Sequence, residues 1–96
     1  MLAGTLNPRH RSVVETYLTA QGVKTGTAIG ADGRTDFAKL TAMVTDQTAA
    51  VIMPSPNYFG SLEQWERGAS IAHNCGALFV AAFYATSLGL LKPPGE

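Results

Sequence analysis

The chain has 96 residues, 46% hydrophobic and 15% charged, the profile of one small globular domain rather than a disordered or fibrous segment. Seven basic residues balance seven acidic ones, so the chain offers no electrostatic grip on nucleic acid or on an anionic membrane surface. Its longest apolar run, residues 77–85, falls far short of the ~20 residues that a membrane helix needs.

Residues 2–6 form a short, mostly apolar opening. Asn7-Pro8 then reads as a helix start, because asparagine can accept from a free backbone amide and proline suits the first helical position. Val14, Tyr17 and Leu18 follow at helical spacing, and Gly22 stands where a left-handed terminating residue belongs. Residues 23–29 have weak strand character interrupted by Gly26, and residues 30–34 read as a turn.

Thr35 or Asp36 can cap a second helix with Phe37, Leu40, Met43 and Val44 on its apolar face. Residues 49–53 (AAVIM) compose a buried strand. The loop PSPNYFG, residues 54–60, comes next. Ser61 and Gln64 fit a capping box, with Glu63 favourable at the helix's positive end. Leu62, Trp65, Ala69 and Ala72 line one face of this third helix, and Gly76 ends it. Residues 77–82 (ALFVAA) are a second fully apolar strand.

Continuous apolar strands alternating with helices predict an α/β fold, a parallel sheet with helices on both faces. Right-handed crossovers, taken together with the family resemblance of the stretches quoted below, lead us to expect the strand order 2-1-3-4. In such a sheet ligands sit beyond the strands' carboxyl ends, which directs attention to the loops holding Asn7 and Asn57. Two readings of Asn57 stay open: it offers an amide to a ligand, or it caps its own loop. Arg9, His10 and Arg11 put positive charge at a helix amino end, to meet a phosphate or acidic partner or, more plainly, as a solvated cluster.

Conventional catalytic patterns are missing. The chain contains no glycine-rich phosphate loop, no Gly-x-Ser-x-Gly turn and no His/Cys/Asp grouping at metal spacing. We expect no catalytic residues and no metal site. Cys75, the single cysteine, excludes an internal disulfide framework and reads as an inert buried residue. His73 reads as a helix carboxyl-end cap. Met1-Leu2-Ala3-Gly4 lacks the basic flank and apolar stretch of a signal peptide, so a cytoplasmic protein is expected.

The stretches LNPRHRSVVETYL, DGRTDFAKL, TAAVIMPSPNYFGSLEQWE, AHNCGALFVA and SLGLLKPPGE occur in an order and spacing that resembles the glycine-cleavage P-protein. The likeness is to the large domain of its amino-terminal half, which many bacteria make as a separate subunit 1. Asn-Tyr-Phe-Gly after the strand and Leu-Lys-Pro-Pro-Gly-Glu at the end are its specific marks.

The resemblance implies a pyridoxal-phosphate enzyme of the aminotransferase-like (fold type I) class, glycine dehydrogenase (decarboxylating). That enzyme decarboxylates glycine and passes the aminomethyl group to the lipoyl arm of the H-protein. It also implies that residues 1–96 are a fragment, a partial large domain whose own cofactor is lost, while subunit 2 carries the cofactor lysine. Pyridoxal phosphate wants a lysine for a Schiff base and a carboxylate for its ring nitrogen. Lys24, Lys39 and Lys92 lack a plausible context for the first. Ala81 and Ala82 stand where cofactor-binding relatives carry the carboxylate, with Tyr84 just beyond.

No cofactor-binding residue is therefore expected here; Asn57, Tyr58 and Phe59 are expected to shape a vestigial, partner-facing loop. The competing expectation is a stand-alone, flavodoxin-sized α/β domain that binds a small anion through the Asn7 and Asn57 loops.

Overall fold

A computed structural model describes residues 2–95; Met1 and Glu96, which the sequence reading also included, lie outside the described residues. The elements run β1 (Leu2–Ala3), α1 (Pro8–Ala20), β2 (Thr27–Ala28), α2 (Phe37–Met43), β3 (Ala50–Pro54), α3 (Trp65–Asn74) and β4 (Leu78–Ala82), followed by a 3-10 turn at Ala85–Gly89. The four strands form one parallel sheet in the order β2-β1-β3-β4. Its longest pairing matches Ala50 with Leu78 through Pro54 with Ala82.

Local chemistry explains the helix ends. Asn7 Oδ1 accepts from the Arg9 amide at 2.9 Å, and Asp36 Oδ1 accepts from Lys39 at 3.0 Å, so Asp36 rather than Thr35 caps α2. The carboxyl ends of α1 and α3 close in the same way. Gly22 and Gly76 take φ of 73° and 75°. The Val23 and Ala77 amides then reach back to the Leu18 and Ala72 carbonyls. That use of Val23 also shortens β2: the residue expected to open a strand terminates a helix instead. His73, expected as a cap, is exposed in the last turn, where backbone amides do the capping.

A second difference concerns the start of α3. The expected capping box at Ser61 and Gln64 does not form; Gln64 holds the cap position with no side-chain bond, and the helix begins at Trp65. Ser61 pairs instead with Asn57 in both directions, its amide donating to Oδ1 and its carbonyl accepting from the Asn57 amide. The Glu63 side chain turns away from the helix.

The core lies on one face of the sheet, where Val51 and Met53 of β3 meet Leu40 and Val44 from the α2 side and Ala72 of α3. Phe37, Trp65, Ile71 and Phe79 pack around them. Gly68 lets α3 sit close, since a Cβ there would stand 2.7 Å from Met53 Cε and 3.0 Å from Phe79 Cε2. The Trp65 indole donates to the Met53 carbonyl at 3.1 Å, and the Arg67 guanidinium lies 4.6 Å from the centre of the Phe37 ring. Cys75 is half-buried against this core, not fully buried, with Sγ 3.9 Å from the Val44 carbonyl.

The chain winds one way from β1 to β2 and the other way afterwards, so right-handed crossovers put α1 on the opposite face from α2 and α3. That second face is thinly covered. No residue of α1 is buried, and on β4 Leu78 is 70% and Val80 43% exposed.

Candidate functional site

The winding reverses between β1 and β3, the position where open parallel sheets collect ligands. A cleft of about 300 Å³ opens there, at the carboxyl ends of β1, β3 and β4. Leu6, Pro54, Pro56, Ala81, Ala82 and Phe83 give it apolar walls, and Asn7, His10, Asn57, Tyr58 and Tyr84 bring polar atoms. The loop of residues 54–60 forms one side, and its Ser55–Pro56 peptide is cis. Ser55 carries the sheet pairing one step further through its amide to the Ala82 carbonyl at 3.0 Å.

Asn57 is only 6% exposed and both ends of its amide are engaged within the chain. Its Oδ1 accepts from the Phe59 and Ser61 amides, each at 3.0 Å. Its Nδ2 donates to the Gly33 carbonyl and to Glu63 Oε1, also at 3.0 Å. The side chain thus caps its own loop and ties it to the loop after β2. Every bond an asparagine ordinarily makes to a ligand oxygen is already made to protein.

Tyr58 and Phe59 point the other way. They are 56% and 57% exposed, and their rings meet edge to face with centroids 5.6 Å apart. The Tyr58 amide donates to the Thr5 carbonyl at 2.9 Å, which fixes this pair over the end of β1. Phe59 lies on Gly33, whose ideal Cβ position is 3.6 Å from the ring. Two held aromatic rings on a surface are a low-entropy contact for another molecule.

Of the Arg9–His10–Arg11 cluster, His10 lines the cleft and Arg11 folds inward, its Nη2 donating to the Gly4 carbonyl at 2.6 Å. Asn7 uses its oxygen as the α1 cap. Tyr84 is on the cleft wall and largely exposed.

The sequence reading missed Glu63 as a junction, along with its partners Thr35 and Ser55 and, behind Thr35, Thr5. Glu63 Oε1 accepts from the Thr35 amide at 3.0 Å, Thr35 Oγ1 at 3.1 Å and Asn57 Nδ2 at 3.0 Å. Its own amide donates to Ser55 Oγ at 3.1 Å, and Thr5 Oγ1 stands 3.5 Å from Thr35 Oγ1. The contacts of Thr35 with Glu63 and Thr5 span 28 and 30 residues of chain, and no local spacing announces them; those of Glu63 with Asn57 and Ser55 span 6 and 8.

Pyridoxal phosphate does not fit the residues of this cleft. It needs an amine and a ring-nitrogen carboxylate, and the lining has neither lysine, aspartate nor glutamate. Lys24 and Lys39 are exposed away from it. Lys92 borders a separate hollow of about 450 Å³ between the start of α3 and residues 91–94. Among the described residues no group of three or more His, Cys, Asp or Glu could hold a metal ion.

The whole chain, residues 1–96, matches the family model described as glycine cleavage system P-protein. The chain belongs to that family. Among its relatives, the probable glycine dehydrogenase (decarboxylating) subunit 1 of Geotalea uraniireducens is 47% identical over 99% of this chain and 22% of its own length. The protein of the same description from Koribacter versatilis is 43% identical over all of this chain and 22% of its own. A solved glycine decarboxylase (P-protein) of the glycine cleavage system, in inhibitor-bound form, superposes with a TM-score of 0.89 at 39% identity. That match covers 98% of this chain and 21% of the solved one. The chain thus spans about a fifth of the length of the relatives it matches.

Proposed function

We propose that this chain is part of subunit 1 of a glycine decarboxylase and contributes a surface to the catalytic centre of a partner rather than a centre of its own. In this reading the complete enzyme, subunits 1 and 2 together, decarboxylates glycine and delivers the aminomethyl group to the lipoyl arm of the H-protein. Pyridoxal phosphate is held by subunit 2, and residues 1–96 are a portion of an aminotransferase-like (fold type I) large domain. The observation that carries the family part of the reading is the match along the full chain, at 39% identity and a TM-score of 0.89 to a solved P-protein. The division of labour is supported by the cleft lining, which offers hydrophobic and aromatic contact but no group to anchor the cofactor.

The contact surface is the rim formed by Tyr58 and Phe59, with Asn57 beneath holding the loop in shape. Aromatic residues with few rotamers supply large contact area at little entropic cost. The small-anion reading lacks the same support, since the Asn57 amide is already engaged. The test is Tyr58→Ala with Phe59→Ala in full-length subunit 1 mixed with subunit 2. Association weakened by about tenfold or more, with decarboxylation falling in step, is the expected result. Unchanged assembly and activity, with only a lower melting temperature, would assign the rings to packing within the subunit.

A further inference from the structure

We infer that Glu63 is the positioning residue of this partner-facing loop, acting through the hydrogen bonds its carboxylate accepts and not through its charge. The inference rests on the reading that Tyr58 and Phe59 meet subunit 2. Three donors converge on the single atom Glu63 Oε1: the Thr35 amide and hydroxyl from the loop after β2, and Asn57 Nδ2 from the loop after β3. Oε2 receives one long contact, 3.4 Å from the Thr35 amide. Asn57 closes the ring by donating also to the Gly33 carbonyl, and Gly33 is the floor on which the Phe59 ring lies.

The two loops therefore form one ledge with Glu63 as its pin. The pin is itself anchored, because the Glu63 amide donates to Ser55 Oγ at the start of the loop. Without the carboxylate, Asn57 and Thr35 each keep a donor with nothing to meet, and the Gly33 floor is free to part from the ring above it. A sequence-local role at the start of α3 explains none of this, since Glu63 lies outside the helix.

A double-mutant cycle in full-length subunit 1 assembled with subunit 2 tests the idea. Glu63→Ala is expected to weaken association about tenfold. Glu63→Gln keeps an oxygen for the three donors and is expected to stay within about twofold of the parent. In the Tyr58→Ala/Phe59→Ala background, Glu63→Ala should add less than about twofold, because the rings it positions are gone. Thr35→Val, which removes one donor and keeps the fold of a buried residue, provides a milder entry to the same cycle should Glu63→Ala fail to fold. Its loss, about threefold, should likewise vanish in the double-alanine background.

A Glu63→Gln variant as weak as Glu63→Ala would overturn the hydrogen-bond account in favour of charge. A loss that persists undiminished in the double-alanine background would make Glu63 a generic stabiliser. If the double-alanine change weakens association and the Glu63→Ala and Thr35→Val changes do not, the positioning role alone fails. If the double-alanine change has no effect, the partner-facing reading fails and takes this inference with it.

Discussion

Asn57 shows how a residue can be well placed for a ligand and still be occupied by its own chain. The strand-end loop and the choice of asparagine were visible in the sequence, and so were both of its possible uses. The structure engages all four of its side-chain bonds with Gly33, Phe59, Ser61 and Glu63. What sequence could not supply was the partner on the far side, because Glu63 and Thr35 converge only once β1, β2 and β3 lie side by side. Asn57→Ala should destabilise full-length subunit 1 by about 2–4 kcal/mol in a denaturant titration, since it strands buried donors and acceptors. Asn57→Asp should be no milder: it replaces the donor facing Glu63 by a second carboxylate oxygen, at the present 3.0 Å separation. An aspartate variant as stable as the parent would show that the Asn57–Glu63 bond carries little.

At the scale of elements, the helices with chemical signals at their ends were the legible ones. Asn7-Pro8 and Gly22 mark the two ends of α1, and Gly76 the end of α3, because those residues let exposed backbone groups be satisfied in a way few others can. The start of α3 was illegible for the complementary reason. Ser61 and Gln64 suit a capping box and Glu63 suits the helix's positive end, but Ser61 pairs with Asn57, the Glu63 carboxylate is taken by Thr35 and Asn57, and the helix starts later. The fit of α3 to the sheet gives a separate prediction. Gly68→Val puts branched atoms where even a Cβ would meet Met53 Cε and Phe79 Cε2 at 2.7 and 3.0 Å. It should cost full-length subunit 1 about 2–3 kcal/mol by overpacking. Gly68→Ala should cost less, because Met53 Cε is the free end of a flexible side chain and alanine favours the helix by about 1 kcal/mol over glycine. Paired thermal melts of the two variants check the ranking.

At the scale of the molecule, the alternation of strand and helix was readable from the apolar runs, whereas the uneven covering of the sheet was not. Periodicity marks β4 as apolar on both sides but does not say what covers each. Here α2 and α3 cover one face, while Leu78 and Val80 of the edge strand stand open on the other. Ordering a chain costs about 1.5 kcal/mol per residue, and a one-sided core has little to set against it. Residues 1–96 alone should therefore bind a hydrophobic dye and melt broadly or aggregate; a sharp melt of a monomer would contradict this. In the proposed function this stretch supports chemistry anchored elsewhere. Borohydride reduction of the assembled enzyme loaded with pyridoxal phosphate, followed by peptide mapping of both subunits, tests it most directly. One stoichiometric adduct is expected on subunit 2 and none on Lys24, Lys39 or Lys92; a stoichiometric adduct on any of those three lysines would contradict the proposed function.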